Sequence, residues 1–414
     1  MKFSPLHPRQ IALLLLPLLL LSSCGRAPTA PAAEIDYGKH RDLAGLVAAI
    51  LVESATMGNF DEFEVDSPSV VKDPARGSNV PADRFLLFYE GTDVTGMPSI
   101  GLVTSNKPDF SSPVIDREQV FAPGPPGTPW EFGATDPSVL LDQRAAENIP
   151  GSERRYKMWF EALSGTAGEI STIVYCDSAD GSTWSTPVAV TGLDDALASV
   201  SFNAGSNGRI VDPVVVLENP DGGIERFLMW FEVVRQDPIP APPAPQVLPD
   251  ARSSVIGFAE SLDGIAWTVR DAAGSSGVLA APLLLPRAGS IDGGGLSAPG
   301  VALEIDSLGN VLRYHLWYEA QRDLGTNDTT IGYARSTDLQ FWERFSLAVL
   351  EPSSDSIVPL PFDSDDLKQP TALIEEVVEF GDDGPFLLWY GADEEDLGNL
   401  GIPTPNRIGY AHGQ

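Results

Sequence analysis

The sequence predicts an all-β fold, a five-bladed β-propeller, and three observations carry that prediction. An apolar, aromatic segment recurs five times, as FLLFYEG (85–91), YKMWFEA (156–162), FLMWFEV (227–233), YHLWYEA (314–320) and FLLWYGA (386–392). Each copy is preceded by a proline-led apolar run: SPSVVKD, DPSVLLD, DPVVVLE, APGVALE or QPTALIE. Each is followed by a third apolar run, from SIGLVTS (99–105) in the first unit to RIGYAHG (407–413) in the last. β-Branched and aromatic runs of this length, bounded by Gly, Asp and Pro, read as strands. With Phe88, Trp159, Trp230, Trp317 and Trp389 in register, the intervals are 71, 71, 87 and 72 residues. The proline-rich QDPIPAPPAPQVLPD (236–250) accounts for the long one. A period of this kind means stacked units that bury their faces on one another.

Taken in chain order, the first element is a leader. Lys2 and Arg9 precede a charge-free apolar run, Ile11 to Leu21, and then Leu-Ser-Ser-Cys. That ending resembles a bacterial lipobox, so residues 1–23 are expected to be a lipoprotein signal peptide and Cys24 the lipidated residue. The implied location is the bacterial cell envelope, lipid-anchored on the periplasmic face or the cell surface. Residues 24–42, rich in Ala and Pro without apolar periodicity, read as a tether, and 43–414 as the propeller. Cys176 is the only other cysteine, so no disulfide framework supports the fold, and it reads as a half-buried small hydrophobe.

The charge narrows the partners. Acids number 58 against 26 bases, a formal −32, and only six residues are lysine. Such a surface repels phosphate backbones, which excludes nucleic acid, and repels anionic lipid, which leaves the anchor as the sole membrane contact. A monomer is expected.

The fifth unit closes differently from the others. Its third strand is followed almost at once by Gln414, so its outer strand must come from elsewhere. AAILVES (48–54) is similar to LAVLEPS (347–353), which stands at the fourth-strand place before unit five. Residues near 47–53 are therefore predicted to supply the missing strand and close the ring. The alternative is a short apolar helix over 42–53.

In a propeller the first strand of each blade lines the central channel, which puts the pre-proline residue near one mouth. These residues are Ser67, Asp136, Asp212, Ala298 and Gln369. The acid five positions after each proline (Asp73, Asp142, Glu218, Glu304, Glu375) recurs in every copy, so it reads as a strand-end structural residue. The pre-proline position instead varies around the ring, as expected where blades have different tasks. The second strands bring Glu90, Glu161, Glu232 and Glu319 to the same mouth, and Gly391 breaks that series. Clustered, desolvated carboxylates resist ionisation, and a general acid working near neutrality needs that property. Asp136, Asp212, Glu161 and Glu232 are the catalytic candidates. Ser67, Gln369, Glu319, Trp130 and Phe132 are candidates for holding substrate, the two aromatics by stacking on a sugar. A Ca²⁺ ion in the channel would equally account for the acids. Asp61, Asp292 and Asp363, each six residues before a pre-proline position, read as shaping the entering loops, and His315 as structural.

The repeat D-P-x-V … Y-x-M-W-[FY] … I-G-[FY]-A-x-S-x-D-G-x-x-W resembles the five-bladed furanosidase superfamily. That superfamily comprises arabinanases, β-xylosidases, invertases, levansucrases and β-mannoside phosphorylases. The resemblance covers roughly residues 45–414 and implies carbohydrate as partner and glycosidic-bond chemistry at the channel mouth. It also implies for Asp136, in the TDP of blade two, a role in stabilising the transition state or tuning the acid. Ser67 stands where arabinanase-like and invertase-like enzymes carry an aspartate, and Asp212 lacks the Glu-Gly-Pro or Glu-Cys setting of their acid. A glycosidase-like enzyme is the first expectation. A non-catalytic propeller binding glycan or protein at the same mouth is the alternative.

Overall fold

The structure, a computed structural model, describes residues 35, 37–41, 47–74, 84–111, 116–142, 155–165, 168, 170–194, 209–218, 225–234, 254–270, 284–287, 289–306, 309–322, 329–354, 361–375, 385–393 and 405–413. Cys24, the predicted signal peptide and most of the predicted tether lie outside the described residues.

Five four-stranded antiparallel sheets form the ring. Blade one is β2 (Glu64–Lys72), β3 (Phe85–Thr92), β4 (Pro98–Ser105) and β5 (Glu118–Phe121). Blade two is β6 (Gly133–Leu141), β7 (Tyr156–Ser164), β8 (Ile170–Ser178) and β9 (Val188–Ala189). Blade three is β10 (Arg209–Glu218), β11 (Arg226–Val234), β12 (Val255–Ser261) and β13 (Thr268–Arg270). Blade four is β14 (Gly295–Ile305), β15 (Val311–Gln321), β16 (Thr329–Ser336) and β17 (Glu343–Arg344). Blade five is β18 (Leu367–Ile374), β19 (Phe386–Ala392), β20 (Arg407–Gly413) and, at its outer edge, β1 (Tyr37–Lys39). The first strands touch around the axis in the order β2, β6, β10, β14, β18 and back to β2.

The repeated aromatics join the blades. In blades one to three the second-strand ring meets the tryptophan of the next blade's Asp-centred turn: Phe88 on Trp184 at 5.8 Å, Trp159 on Trp267 at 6.3 Å, Trp230 on Trp342 at 6.3 Å. Edge-on contacts between such rings add to their area burial. The turns are rigid because one aspartate caps two amides; Asp180 accepts from Ser182 N at 2.9 Å and Thr183 N at 2.8 Å. Cys176 is fully buried, more so than the half-buried reading of its strand.

The ring closes through the N-terminal segment, as expected, but not where expected. β1 pairs with β20, Tyr37 opposite Gly413 and Lys39 opposite Ala411, so the propeller begins inside the stretch read as tether. Leu51 makes only an isolated bridge to Ile408, and the described residues 47–53 are not helical. Blade four explains the division, because its outer edge is also in two pieces. β17 is followed by a single bridge from Leu350 to Ile331. The likeness of 48–54 to 347–353 thus identified the second piece. The first is too short to show alternation.

The acids spaced after each proline are more than turn residues. Asp73 accepts from Arg155 and Tyr156 of blade two. Glu218 accepts from Tyr314 of blade four at 2.7 Å, and Glu375 from Lys72 of blade one at 2.5 Å. They tie one blade to the next at the end of the channel away from the mouth. Asp61, Asp292 and Asp363 are also structural. Each is fully buried, and their partners are Tyr89 and Arg117, Tyr318 and Arg344, and Tyr390 and Lys39. Lys39 stands for blade five where Arg344 stands for blade four. His315 is buried between Tyr333 Oη at 2.7 Å and Glu304 at 3.2 Å, a structural setting.

Candidate functional site

One backbone feature, repeated in all five blades, builds the mouth. Pairing of the first and second strands skips two residues in every blade, between Asp66 and Ser69, Thr135 and Ser138, Val211 and Val214, Ser297 and Gly300, and Lys368 and Thr371. The skipped pair is always the pre-proline residue and its proline. The missing proline N–H leaves nothing to donate to the ladder, so a bulge is favoured there. The pre-proline residue takes a left-handed conformation each time: φ is 49° at Ser67, 50° at Asp136, 49° at Asp212, 41° at Ala298 and 46° at Gln369. Non-glycine residues pay about 1–3 kcal/mol for such backbone, so the surrounding sheet must impose it. The five residues line the central cavity, of about 140 Å³, with the prolines and the apolar β-strand residues below them.

At this ring Asp136 is the focus. Its Oδ1 accepts from Ser67 Oγ at 2.7 Å and from Gln369 Nε2 at 2.9 Å, drawing blades five, one and two together. Glu161 lies within hydrogen-bond reach of Asp136, and burial, then the Asp136 charge, push its pKa up to about 8. Blade three repeats the arrangement. Asp212 lies within hydrogen-bond reach of Glu232, and burial, then the charges of Asp136 and Glu232, hold its carboxyl well above the usual range. Glu232 accepts from Ser254 Oγ and from Ala298 N, the latter at 3.3 Å. Glu90 is raised by burial and by Asp136 and Asp66. Glu319 is pushed up to about 8 by burial and Glu232. The structure therefore brings together Asp136, Asp212, Glu161, Glu232, Ser67 and Gln369, with Glu319 toward blade four.

Trp130 and Phe132 line neither this cavity nor the neighbouring one over blade four. The Trp130 ring packs on Phe121 at 6.0 Å, and Phe132 N donates to Leu163 O at 3.0 Å.

Two mouth residues escape a reading confined to pre-proline positions. Asp66 is buried, and its pKa rises to about 7 through desolvation, opposed by Lys368. It accepts from Asn406 at 2.7 Å. A Cβ on Gly391 would stand 1.9 Å from Asp66 Oδ1, so the blade-one aspartate fills the room that a fifth glutamate would need. Lys368 lies 3.3 Å from Asp393 and 3.8 Å from Asp366, and these carboxylates keep its ammonium charged against the cost of burial. The signal was present. Directly across the ladder from Glu90, Glu161, Glu232, Glu319 and Gly391 stand Asp66, Thr135, Val211, Ser297 and Lys368. This series is as variable as the pre-proline one.

For a metal, the described residues offer one set with carboxylate oxygens all within 4.8 Å: Asp365, Asp366 and Asp393. It lies beside Lys368, which already supplies positive charge there, and not among the pre-proline residues. The axis, where a Ca²⁺ ion was the alternative account of the acids, carries no such set among the described residues.

No protein-family model matches the chain, and no curated protein matches it. Solved structures do. One belongs to work on the GH130 family of mannoside phosphorylases, described as containing glycoside hydrolases that target β-1,2-mannosidic linkages in Candida mannan. It aligns with TM-score 0.55 at 14% identity over 90% of this chain and 93% of that one. An α-L-arabinofuranosidase from Podospora anserina in complex with cellotriose gives TM-score 0.54 at 10% identity, over 89% and 95%. An N-acetylgalactosamine deacetylase from F. plautii in complex with blood group B trisaccharide gives 0.51 at 17%, over 88% and 95%. At these identities the likeness speaks for the fold, and the chain has the five-bladed propeller fold that these carbohydrate-active enzymes share.

Proposed function

We propose that the protein cleaves a glycosidic bond of an oligo- or polysaccharide at the channel mouth, with carboxyl groups of blades two and three as acid and base. The observation that carries this reading is the pairing of Asp136 with Glu161 and of Asp212 with Glu232 in adjacent blades. Working carboxyls of glycosidases stand roughly 5–10 Å apart so that sugar fits between them. Partners already within hydrogen-bond reach are too close to be that couple, so one member is drawn from each pair. Glu161, with its pKa at about 8, keeps its proton at neutral pH and is the acid. The Asp212–Glu232 pair supplies the base or nucleophile, and Ser67 and Gln369 hold Asp136 in register with Glu161. The fold shared with glycoside hydrolases supports the same reaction class.

The test is reducing-sugar release from a panel of neutral glycans by the wild type, Glu161→Gln and Asp212→Asn. A loss of roughly 100-fold or more with unchanged melting is expected. Full activity in Glu161→Gln would refute the acid assignment. Glycan binding without turnover would favour a non-catalytic module instead. One observation leans that way: both donors to Asp136 converge on a single oxygen and keep it an oriented acceptor.

Anchoring through Cys24 in the bacterial envelope belongs to the same proposal, as does a monomeric state. β1 enters blade five with Tyr37 opposite Gly413, at the end remote from the mouth. A tether arriving there leaves the mouth facing away from the membrane. A Cys24→Ala protein that still fractionated with membranes would count against the anchor.

A further inference from the structure

The two carboxyl pairs of the mouth differ in where their hydrogen-bond donors stand. Two carboxyl groups in contact resist holding two charges, and the member supplied with donors is the one that stays ionised. In blade two the donors go to the first-strand residue, Ser67 Oγ at 2.7 Å and Gln369 Nε2 at 2.9 Å from Asp136. In blade three they go to the second-strand residue. Ser254 Oγ donates to Glu232 Oε1 and Ala298 N to Glu232 Oε2 at 3.3 Å, so both oxygens are engaged. Among the described residues nothing donates to the Asp212 carboxyl, and its one partner within reach is Glu232. The pre-proline series explains the reversal. Asp136 has Ser67 and Gln369 to draw on, whereas the next residue of the ring after Asp212 is Ala298, which offers only its amide. Ser254 stands two residues before Ile256, the ladder partner of Glu232, and Ser171 stands two before Ile173, the partner of Glu161. Ser171 faces Glu161, but its buried hydroxyl meets no acceptor in hydrogen-bond geometry.

We infer that the mouth holds its protons on opposite strands, on Glu161 in blade two and on Asp212 in blade three, and that Ser254 is the positioning residue that keeps Glu232 ionised. The inference rests on the glycosidase-like function proposed above and deepens it. It makes Glu232, and not Asp212, the member of its pair that is free to accept a proton. The surrounding charges agree with one proton per pair. Asp136 and Glu161 face the blade-three pair from β6 and β7, and Glu319 faces it from β15. Arg209, at the start of β10, acts on Glu161 in the opposite sense. The three carboxyls oppose a second negative charge on the pair, and with burial they hold Asp212 well above the usual carboxylate range. Repulsion fixes the number of protons, and the donors fix which carboxyl carries one. Ser254 and Glu232 are both buried, so water does not replace the serine hydroxyl freely.

The test is carboxyl carbon-13 NMR of the full protein labelled at aspartate Cγ and glutamate Cδ. The two signals are assigned as those absent from Asp212→Asn and from Glu232→Gln. At about pH 6 the Asp212 signal is expected at the shift of a protonated carboxyl and the Glu232 signal at that of a carboxylate. Ser254→Ala should raise the Glu232 midpoint by about one pH unit, the equivalent of one hydrogen bond to a charged group. Ser254→Thr, which keeps the hydroxyl, should restore it, and the Glu161 midpoint should stay in place in both variants. On any glycan that is turned over, Ser254→Ala should move the acid limb of the pH–rate profile upward with Glu232. A protonated Glu232 beside an ionised Asp212, or a Glu232 midpoint indifferent to Ser254→Ala, would overturn the inference. So would an equal rise at Glu161, which would make Ser254 a general prop of the mouth. The NMR result stands whether or not a glycan is cleaved, so this inference and the proposed reaction fail separately.

Discussion

The two ends of the channel carry the same kind of residue in opposite states. At the far end Asp73, Glu218 and Glu375 are buried and each meets a cation, Arg155, Arg226 or Lys72. At the mouth Glu90, Glu161, Asp212 and Glu232 meet mainly one another, and three of the four titrate well above the ordinary range. Glu161 and Glu232 are as buried as those three, so the partner decides. An acid facing a cation is a fastener. An acid facing an acid is a store of protons held at some cost to stability. Such sites commonly mark function, because the repulsion is kept for chemistry.

The sharpest way to break this contrast is to neutralise one acid at the mouth. Glu161→Gln should cost roughly 10²–10⁴ in hydrolysis rate, as loss of a general acid does. The same change should leave melting unchanged or raise it, since a glutamine needs no proton taken up on folding at neutral pH. A fall in melting temperature would mean that the mouth is held together by its acids, as the far end is. The far end should respond in the opposite way. Arg155→Met leaves Asp73 buried with Tyr156 but without its guanidinium, and should destabilise by about 3 kcal/mol in urea unfolding. Its effect on turnover should be small.

How much of this was legible depended on whether a partner lay within one repeat. The blades were legible because FLLFYEG and its four copies print the second strand in each unit. The mouth was legible because position 136 and its equivalents vary while position 142 and its equivalents do not. What the sequence concealed was pairing across units. Asp73 meets its partners 82 and 83 residues later, and Lys39 meets Asp363 across 324. No local pattern marks such couples. Asp66 was hidden differently. It replaces Gly391 in space but not in register, so a column-by-column reading finds a gap in blade five and no substitute.

Acidity provides a weaker test of the same contrast. Glu161 and Glu319 titrate at about 8 and Asp66 at about 7, all above the roughly 4 of an unfolded chain. Between those values the folded protein binds more protons than the unfolded one. Stability contributed by these groups is therefore fully present below about pH 4 and is lost as pH rises toward 8. Unfolding free energy should fall from pH 5 to 8, by on the order of 1 kcal/mol per pH unit for each such group, and fall less steeply in a Glu161→Gln, Glu319→Gln double variant. An unchanged slope in the double variant would mean that other groups carry the effect.

The smallest expected effect isolates positioning from chemistry. Ser67→Ala removes the 2.7 Å bond to Asp136 and leaves the 2.9 Å bond from Gln369. The backbone should tolerate it, because Ala298 occupies the equivalent left-handed position with φ 41°. Stability should hardly move, since Asp136 is only half-buried and water can replace the hydroxyl. Turnover should fall about fivefold, the kinetic equivalent of one neutral hydrogen bond of about 1 kcal/mol. Because both donors share one oxygen, adding Gln369→Ala should cost more than the two single losses combined. A Ser67→Ala protein that melted early, as Arg155→Met should, would place this hydroxyl among the fasteners of the ring and not among the groups that aim Asp136.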